Sequence, residues 1–420
     1  YDNVGKIKKM TYPNKIATIY AYDPVMYDIV NIKYINTLTN ATVDQIAYVN
    51  DPATKMIMQR TDWSGPTKYA YDNTNQLTQA TYPDLSYEQF TYDKAGNRIK
   101  LRTRTTSMLY GYDIKTNELM SAGNATYLYD GNGNMTKKTE GTAETKFEYG
   151  YRDMVKKIKY PTSKGIVDSV ITYDGDGNRV QKADSSGSTG CYFDGGNVVM
   201  EKVGADTSIY TIGEKIISKK VNGRKLYYLY DSIGDTVAIT DINGAVLQKY
   251  SYEAFGKVRP IKYPLYIETG NKQQFVGGLG VQKDDDSGLY YMRARYYDSS
   301  IGRFISRDPI KFEPDYVYCK NNPVNLVDAD GRAELTSDQI SLIKYAIQRL
   351  KSIHENGLAS KLQEKLIVSN SGNRGINVET TGSSVALAMV ADVAAYTNPT
   401  SGDITVNKEL FARFGKQVTA

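Results

Sequence analysis

Carboxylates and guanidinium groups crowd one part of this 420-residue chain. Asp284, Asp285, Asp286, Asp298 and Asp308 are interleaved there with Arg293, Arg295, Arg303 and Arg307. Two aspartate corners stand out: Arg307-Asp308-Pro309-Ile310, and Asn322-Pro323-Val324-Asn325-Leu326-Val327-Asp328-Ala329-Asp330-Gly331-Arg332. The chemistry open to such residues is acid–base. Two carboxylates held close together cannot both ionise easily, so one keeps its proton and the other can act as a base on water. The structural alternative is plain: Asp-Pro and Asp-x-Asp-Gly are good turns on their own. Most of the charges would then line a polar face as ion pairs, each exposed pair adding at most about 1 kcal/mol.

Other chemistries lack residues. His354 is the single histidine and reads as a surface side chain, which leaves no histidine-based metal site or triad. Cys191 and Cys319 lie far apart and read as free thiols, though spacing alone does not exclude a pairing. No metal or other cofactor is expected.

The elements that must position these groups are strands. Rings and charges alternate with a period near two along Leu289-Tyr290-Tyr291-Met292-Arg293-Ala294-Arg295-Tyr296-Tyr297-Asp298, which predicts one strand with Arg293 and Arg295 on one face. A Gly302-Arg303 turn follows. Before this stretch, the unit Tyr-Asp-x-x-Gly-Asn recurs at Tyr92–Asn97, Tyr129–Asn134 and Tyr173–Asn178, with degenerate copies at Tyr71, Tyr112, Tyr192, Tyr230 and Tyr252. A recurrence of roughly 20 residues signals a repeat architecture. In each unit Asp opens a turn and Gly supplies a positive φ, so one unit is a hairpin of two short strands. A lone hairpin is unstable in water, and stacking hairpins edge to edge satisfies their backbones and buries a continuous face. The 37 tyrosines, against 9 phenylalanines and 1 tryptophan, suit large amphipathic surfaces better than an oily core.

The net charge of +5 comes from 52 basic and 47 acidic residues that are interspersed, so no nucleic-acid footprint is present. No run approaches the roughly 20 apolar residues of a membrane span. The chain opens on Tyr1-Asp2-Asn3-Val4-Gly5, inside a repeat unit. It therefore reads as the C-terminal piece of something longer, with further shell repeats and any targeting signal upstream.

These units resemble the YD repeats of the Rhs and teneurin-like families over about residues 1 to 332. Leu229–Ala238 and Tyr250–Gly256 look like the family's last repeat, and Gly288–Ile310 is similar to the Rhs-associated core signature. The resemblance implies a mainly β fold, a coiled antiparallel sheet of repeat hairpins forming a partial β-shell, with a small C-terminal α+β domain. It also implies that Asp308 and Asp328 come together as an intramolecular aspartic protease, with Arg307 orienting or charge-balancing them and Asp330 as runner-up for the second carboxylate. The scissile bond would follow Arg332. Three departures stand against the family pattern: Lys311 replaces a glycine, Ala329 a proline and Arg332 a leucine.

Three regions follow: a repeat sheet at 1–264, a core or plug at 265–332 and a variable tail at 333–420. The tail changes composition. Thr336-Ser337-Asp338-Gln339 reads as a capping box, Leu342 to Ile353 carries an apolar helical face, and Ile404–Val406 reads as a strand. Glu355, Glu364, Asp392, Asp403 and Glu409 show no ligand spacing. A metallopeptidase effector cut short before a His-Glu-x-x-His helix is one reading, and no such motif occurs here.

By resemblance, the leading expectation is the C-terminal part of a secreted or cell-surface polymorphic toxin. Its shell encloses the tail as an effector released near Arg332, and an immunity protein would partner that tail. The alternative is a wall-associated adhesion or carbohydrate-binding scaffold without catalytic activity.

Overall fold

The computed structural model describes residues 1, 6–25, 28–163, 165–194, 196–260, 269–309 and 315–332, and the backbone of 395–397 and 404–406. Lys8–Glu334 form one compact unit. Of the second, which joins Tyr1–Ile7 to Leu335–Ala420, the described part includes an antiparallel pair, Ala395–Thr397 with Ile404–Val406. The latter strand lies where the pattern predicts one. The helix expected from Thr336 to Ile353 lies outside the described residues.

The compact unit is dominated by a 24-stranded sheet running from Lys9–Thr11 to Val246–Lys249, each strand antiparallel to the next in sequence. The turns are built as the repeat chemistry requires. Asp93 Oδ1 accepts the N–H groups of Ala95 and Asn97 at 2.9 and 2.8 Å, Gly96 has φ +78°, and Asn97 Nδ2 donates back to Asp93 Oδ2. The same contacts recur at Asp130 and Asp174.

The tyrosine of each unit does a second job. The strand register shifts immediately before Tyr92, Tyr149 and Tyr173. A bulge of this kind re-aims a side chain. Each of these rings then reaches back across a hairpin: the Tyr92 hydroxyl donates to Leu77 O, that of Tyr149 to Met135 O and that of Tyr173 to Val155 O, at 2.7 to 2.9 Å. Leu77 is itself the residue paired with Tyr71, and Val155 the residue paired with Tyr149. Each tyrosine therefore fastens to the partner of the preceding one.

Early strands also pack onto late ones. Tyr12, Ile32, Tyr34 and Tyr48 share a buried cluster with Tyr227, Leu229 and Val237. Tyr34 Oη accepts the N–H of Tyr230 at 2.8 Å, and Tyr48 Oη accepts that of Ser232 at 3.0 Å. The curved sheet thus meets itself about two hundred residues along.

The core segment packs on the sheet as a separate four-stranded sheet. Here the expected single strand from Leu289 to Asp298 is corrected. Tyr290–Met292 and Arg295–Asp298 are two antiparallel strands around a tight turn at Arg293-Ala294. Period two is preserved on both sides of so short a turn, which is why the alternation read as continuous. Arg293 takes φ +53°, held by bonds from its guanidinium to Gly196 O, Leu279 O and Ala329 O. Tyr291 and Tyr296 join Tyr127, Phe147 and Ile158 in one buried cluster. Cys191 and Cys319 are both buried and form no disulfide with each other.

Buried charge locks this segment to the sheet. Arg179 stacks on Tyr291 at 4.1 Å and places Nη1 3.0 and 2.9 Å from the two Asp284 oxygens, while Nη2 donates to Gln282 at 2.7 Å. Lys182 adds a second cation 3.5 Å from Asp284. Removing one partner of such a pair leaves the other uncompensated. The Arg179→Met variant is expected to lose about 3–5 kcal/mol, read as a lowered urea midpoint, and the double variant Arg179→Met/Asp284→Leu to recover much of it.

Candidate active site

The tip of the Tyr290–Asp298 hairpin docks against the second aspartate corner. Ala294 N–H donates to Asp330 O at 3.0 Å, and Arg293 Nη1 to Ala329 O at 3.0 Å. Gly331 sits where this approach is closest: it has φ +72°, and a Cβ there would lie 2.6 Å from Met292 O. Glycine is the residue that tolerates both constraints.

Arg295, the first residue of the returning strand, is the centre of the site. Its side chain is buried and its guanidinium lies 3.5 Å from the Phe304 ring centroid. A single nitrogen, Nη2, stands 2.8 Å from Asp308 Oδ2 and 3.1 Å from Asp328 Oδ2. Nε donates to Gly331 O at 2.6 Å, and Nη1 to Asp315 O at 3.1 Å. One cation thus gathers both aspartate corners and grips the backbone carbonyl of the second.

Asp328 is 1 % exposed. Its Oδ1 accepts the N–H groups of Gly331 and Arg332 at 2.8 and 3.0 Å. This side-chain turn holds the corner that a proline at position 329 would otherwise have preset. Burial first, and then the neighbouring Asp330 carboxyl, raise the Asp328 carboxyl to about 7 against the opposing pull of Arg295. Asp330 is also buried, and its Oδ1 lies 3.2 Å from the Arg332 nitrogen. Burial also lowers the Arg332 guanidinium from its usual value, with Asp330 opposing.

Of the residues singled out in the sequence, Asp308, Asp328, Asp330 and Arg332 therefore meet within a few bonds of one another. Arg307 faces elsewhere: it lies 3.2 Å from Tyr316 Oη, 3.5 Å from Asp315 Oδ2 and 3.6 Å from Glu118 Oε1. The charge-balancing place expected of Arg307 is held by Arg295. Two more arginines of the region are structural. Arg303 ties the segment to the repeat turns through Asn97 Oδ1 at 3.0 Å and Asn117 O at 2.9 Å, and Arg293 holds the hairpin tip. Lys311 lies outside the described residues. Among the described residues no group of His, Cys, Asp and Glu side chains is arranged to hold a metal ion.

The teneurin YD-shell family model matches residues 45–324. The tRNA3(Ser)-specific nuclease WapA of Bacillus spizizenii is 34% identical over 281 residues, 62% of this chain and 12% of the nuclease. The double-stranded DNA deaminase toxin A of Burkholderia cenocepacia is 25% identical over 321 residues, 68% of this chain and 22% of the toxin. The chain thus spans less than a quarter of the length of either relative. In the TcdB2-TccC3-Cdc42 crystal structure, 79% of this chain aligns to 19% of that chain at a TM-score of 0.67 and 18% identity, a likeness of fold. The family match and the hairpin sheet agree: the chain belongs to the teneurin YD-shell family.

Proposed function

We propose that this chain is the C-terminal part of a secreted polymorphic toxin, in which the YD-repeat sheet and the 265–332 plug enclose residues 333–420 as an effector. An intramolecular aspartic protease frees that effector by cutting near Arg332. The observation that carries this reading is the shared Arg295 nitrogen, which brings Asp308 and Asp328 together beside the backbone of Gly331 and Arg332. Likeness to two toxin relatives supports the effector role, and an immunity protein is the natural partner of such a tail.

The reaction is hydrolysis of one peptide bond. Asp308 takes a proton from water as the water oxygen attacks the scissile carbonyl carbon. Asp328, whose carboxyl burial raises to about 7 so that a large fraction keeps its proton at neutrality, gives that proton to the departing nitrogen. The C–N bond breaks to a new carboxyl and a new amine, and the protons on the two aspartates have exchanged places. Arg295 steadies the carboxylates and donates hydrogen bonds where negative charge develops. Substrate and catalyst belong to one chain, so no binding step is required.

The purified chain is expected to separate into two polypeptides that break near Arg332, seen by intact-mass spectrometry. Asp308→Asn, Asp328→Asn and Arg295→Met should each slow the break by about a hundredfold or more. A wild-type chain that stays whole after refolding would count against the reading.

The acid role also sets a pH dependence. Asp328 must carry its proton, and its carboxyl is raised to about 7, so cleavage should persist at mildly acidic pH. Above about pH 7 the rate should fall near tenfold per unit, as the protonated fraction does. A rate that climbs steadily from pH 6 to 9 would exclude Asp328 as the acid.

A further inference from the structure

The corner holds a third carboxyl that the proposed mechanism leaves unused. Asp330 is 7 % exposed and faces the same backbone N–H as Asp328: Arg332 N lies 3.0 Å from Asp328 Oδ1 and 3.2 Å from Asp330 Oδ1. One N–H cannot satisfy two full negative charges in a buried site. The nearest full cation, Arg295, is already divided between Asp308, Asp328 and two backbone carbonyls. Arg293 is spent on carbonyl oxygens, one of them Ala329 O. The buried Tyr318 lies within electrostatic reach of Asp328 as a neutral phenol, its own ionisation pushed up by burial. Arg332 is the remaining cation; burial disfavours its charged form and the Asp330 carboxyl favours it. Burial and the Asp330 carboxyl together favour the protonated form of Asp328.

We propose that Asp330 is a positioning residue of the self-cleavage site: by sharing the Arg332 N–H with Asp328, it keeps a proton on that pair and so makes Asp328 the acid. This rests on the self-cleavage reading for its consequence, though the proton-holding pair stands on the geometry of the intact turn. Asp308, which shares Arg295 from outside the turn, keeps the role of base. The arrangement also gives the turn a reason to carry aspartate at position 330, where a neutral residue would form the corner equally well.

Asp330→Asn tests this, because Asn retains an oxygen for the Arg332 N–H and removes the charge. Cleavage near pH 5 should stay within about threefold of wild type. The alkaline limb should move down by about one pH unit, a loss near tenfold at pH 8. Asp330→Glu should restore much of that limb. An unchanged profile, or equal loss at every pH, would overturn the assignment.

A second readout does not depend on cleavage. In the intact Asp308→Asn chain, infrared difference spectra taken along a pH titration should show a protonated-carboxyl band. Its midpoint should drop when Asp330→Asn is added. An unmoved midpoint sinks the inference whatever the cleavage result. A moved midpoint in a chain whose wild type never cleaves would uphold the Asp330–Asp328 pair and sink the self-cleavage reading instead.

Discussion

The sheet depends on a tyrosine hydroxyl reaching across a hairpin to a backbone carbonyl. Two-stranded hairpins do not stand alone in water. Ladder bonds between neighbours fix their spacing and leave their angle free. The tyrosine removes that freedom. Its bulge turns the ring inward, and its hydroxyl bonds to the residue that pairs with the previous tyrosine, as Tyr173 does to Val155, the partner of Tyr149. Each link has a net worth of about 1 kcal/mol, but the links run in series and set a curvature that accumulates. Phenylalanine would bury as well and could not make the bond, which accounts for a chain with 37 tyrosines and 9 phenylalanines.

That curvature lets distant parts of the chain meet, and it is also what positions the site. The Tyr290–Asp298 hairpin is short and would not hold its shape in solvent. It is held by rings on the inner faces of the sheet, by Arg179 beneath Asp284, and by Tyr290 and Tyr297 hydroxyls that donate to Gly256 O and Phe255 O. A buried ion pair is weak evidence of net stability, since desolvation offsets much of the attraction. Its effect here is specificity: Arg179 has one place where two carboxylate oxygens, an amide and a ring converge. The hairpin tip is thereby aimed at the Asp328 turn.

The repeat was legible because its turn chemistry is local. Asp, Gly and Asn act within six residues, so Tyr92–Asn97 could be read as a hairpin without neighbours. The reason for the tyrosine was not legible, because its partner is a carbonyl fourteen or more residues away, and every residue has one. The site was legible in half. Asp308 and Asp328 each sit in a corner whose residue types betray it. Arg295 does not: it lies among Arg293, Arg303 and Arg307, and only the hairpin turn at Arg293-Ala294 decides which of the four points at the carboxylates. Arg307 is adjacent to Asp308 in sequence. Neighbours along an extended segment point to opposite sides, so adjacency argues against shared contact.

The departures from the family pattern can be weighed on the same terms. Proline at position 329 would stiffen the corner through φ alone, and here Asp328 Oδ1 fixes the same turn with two hydrogen bonds. A leucine at position 332 would supply an apolar anchor. Arg332 lies half-buried instead, beside the carboxyl of Asp330. What these substitutions leave intact is the distance from each carboxylate to Arg295; the hairpin meets position 329 through its backbone carbonyl, which any residue supplies. An intramolecular reaction draws most of its advantage from such placement, with effective concentrations of about 10⁵ M or more for well-oriented groups. A self-cleaving site of the kind proposed would therefore need little beyond correct placement and a correctly lodged proton. The placement comes from Arg295, which the tyrosine-fastened sheet holds in position from outside the turn.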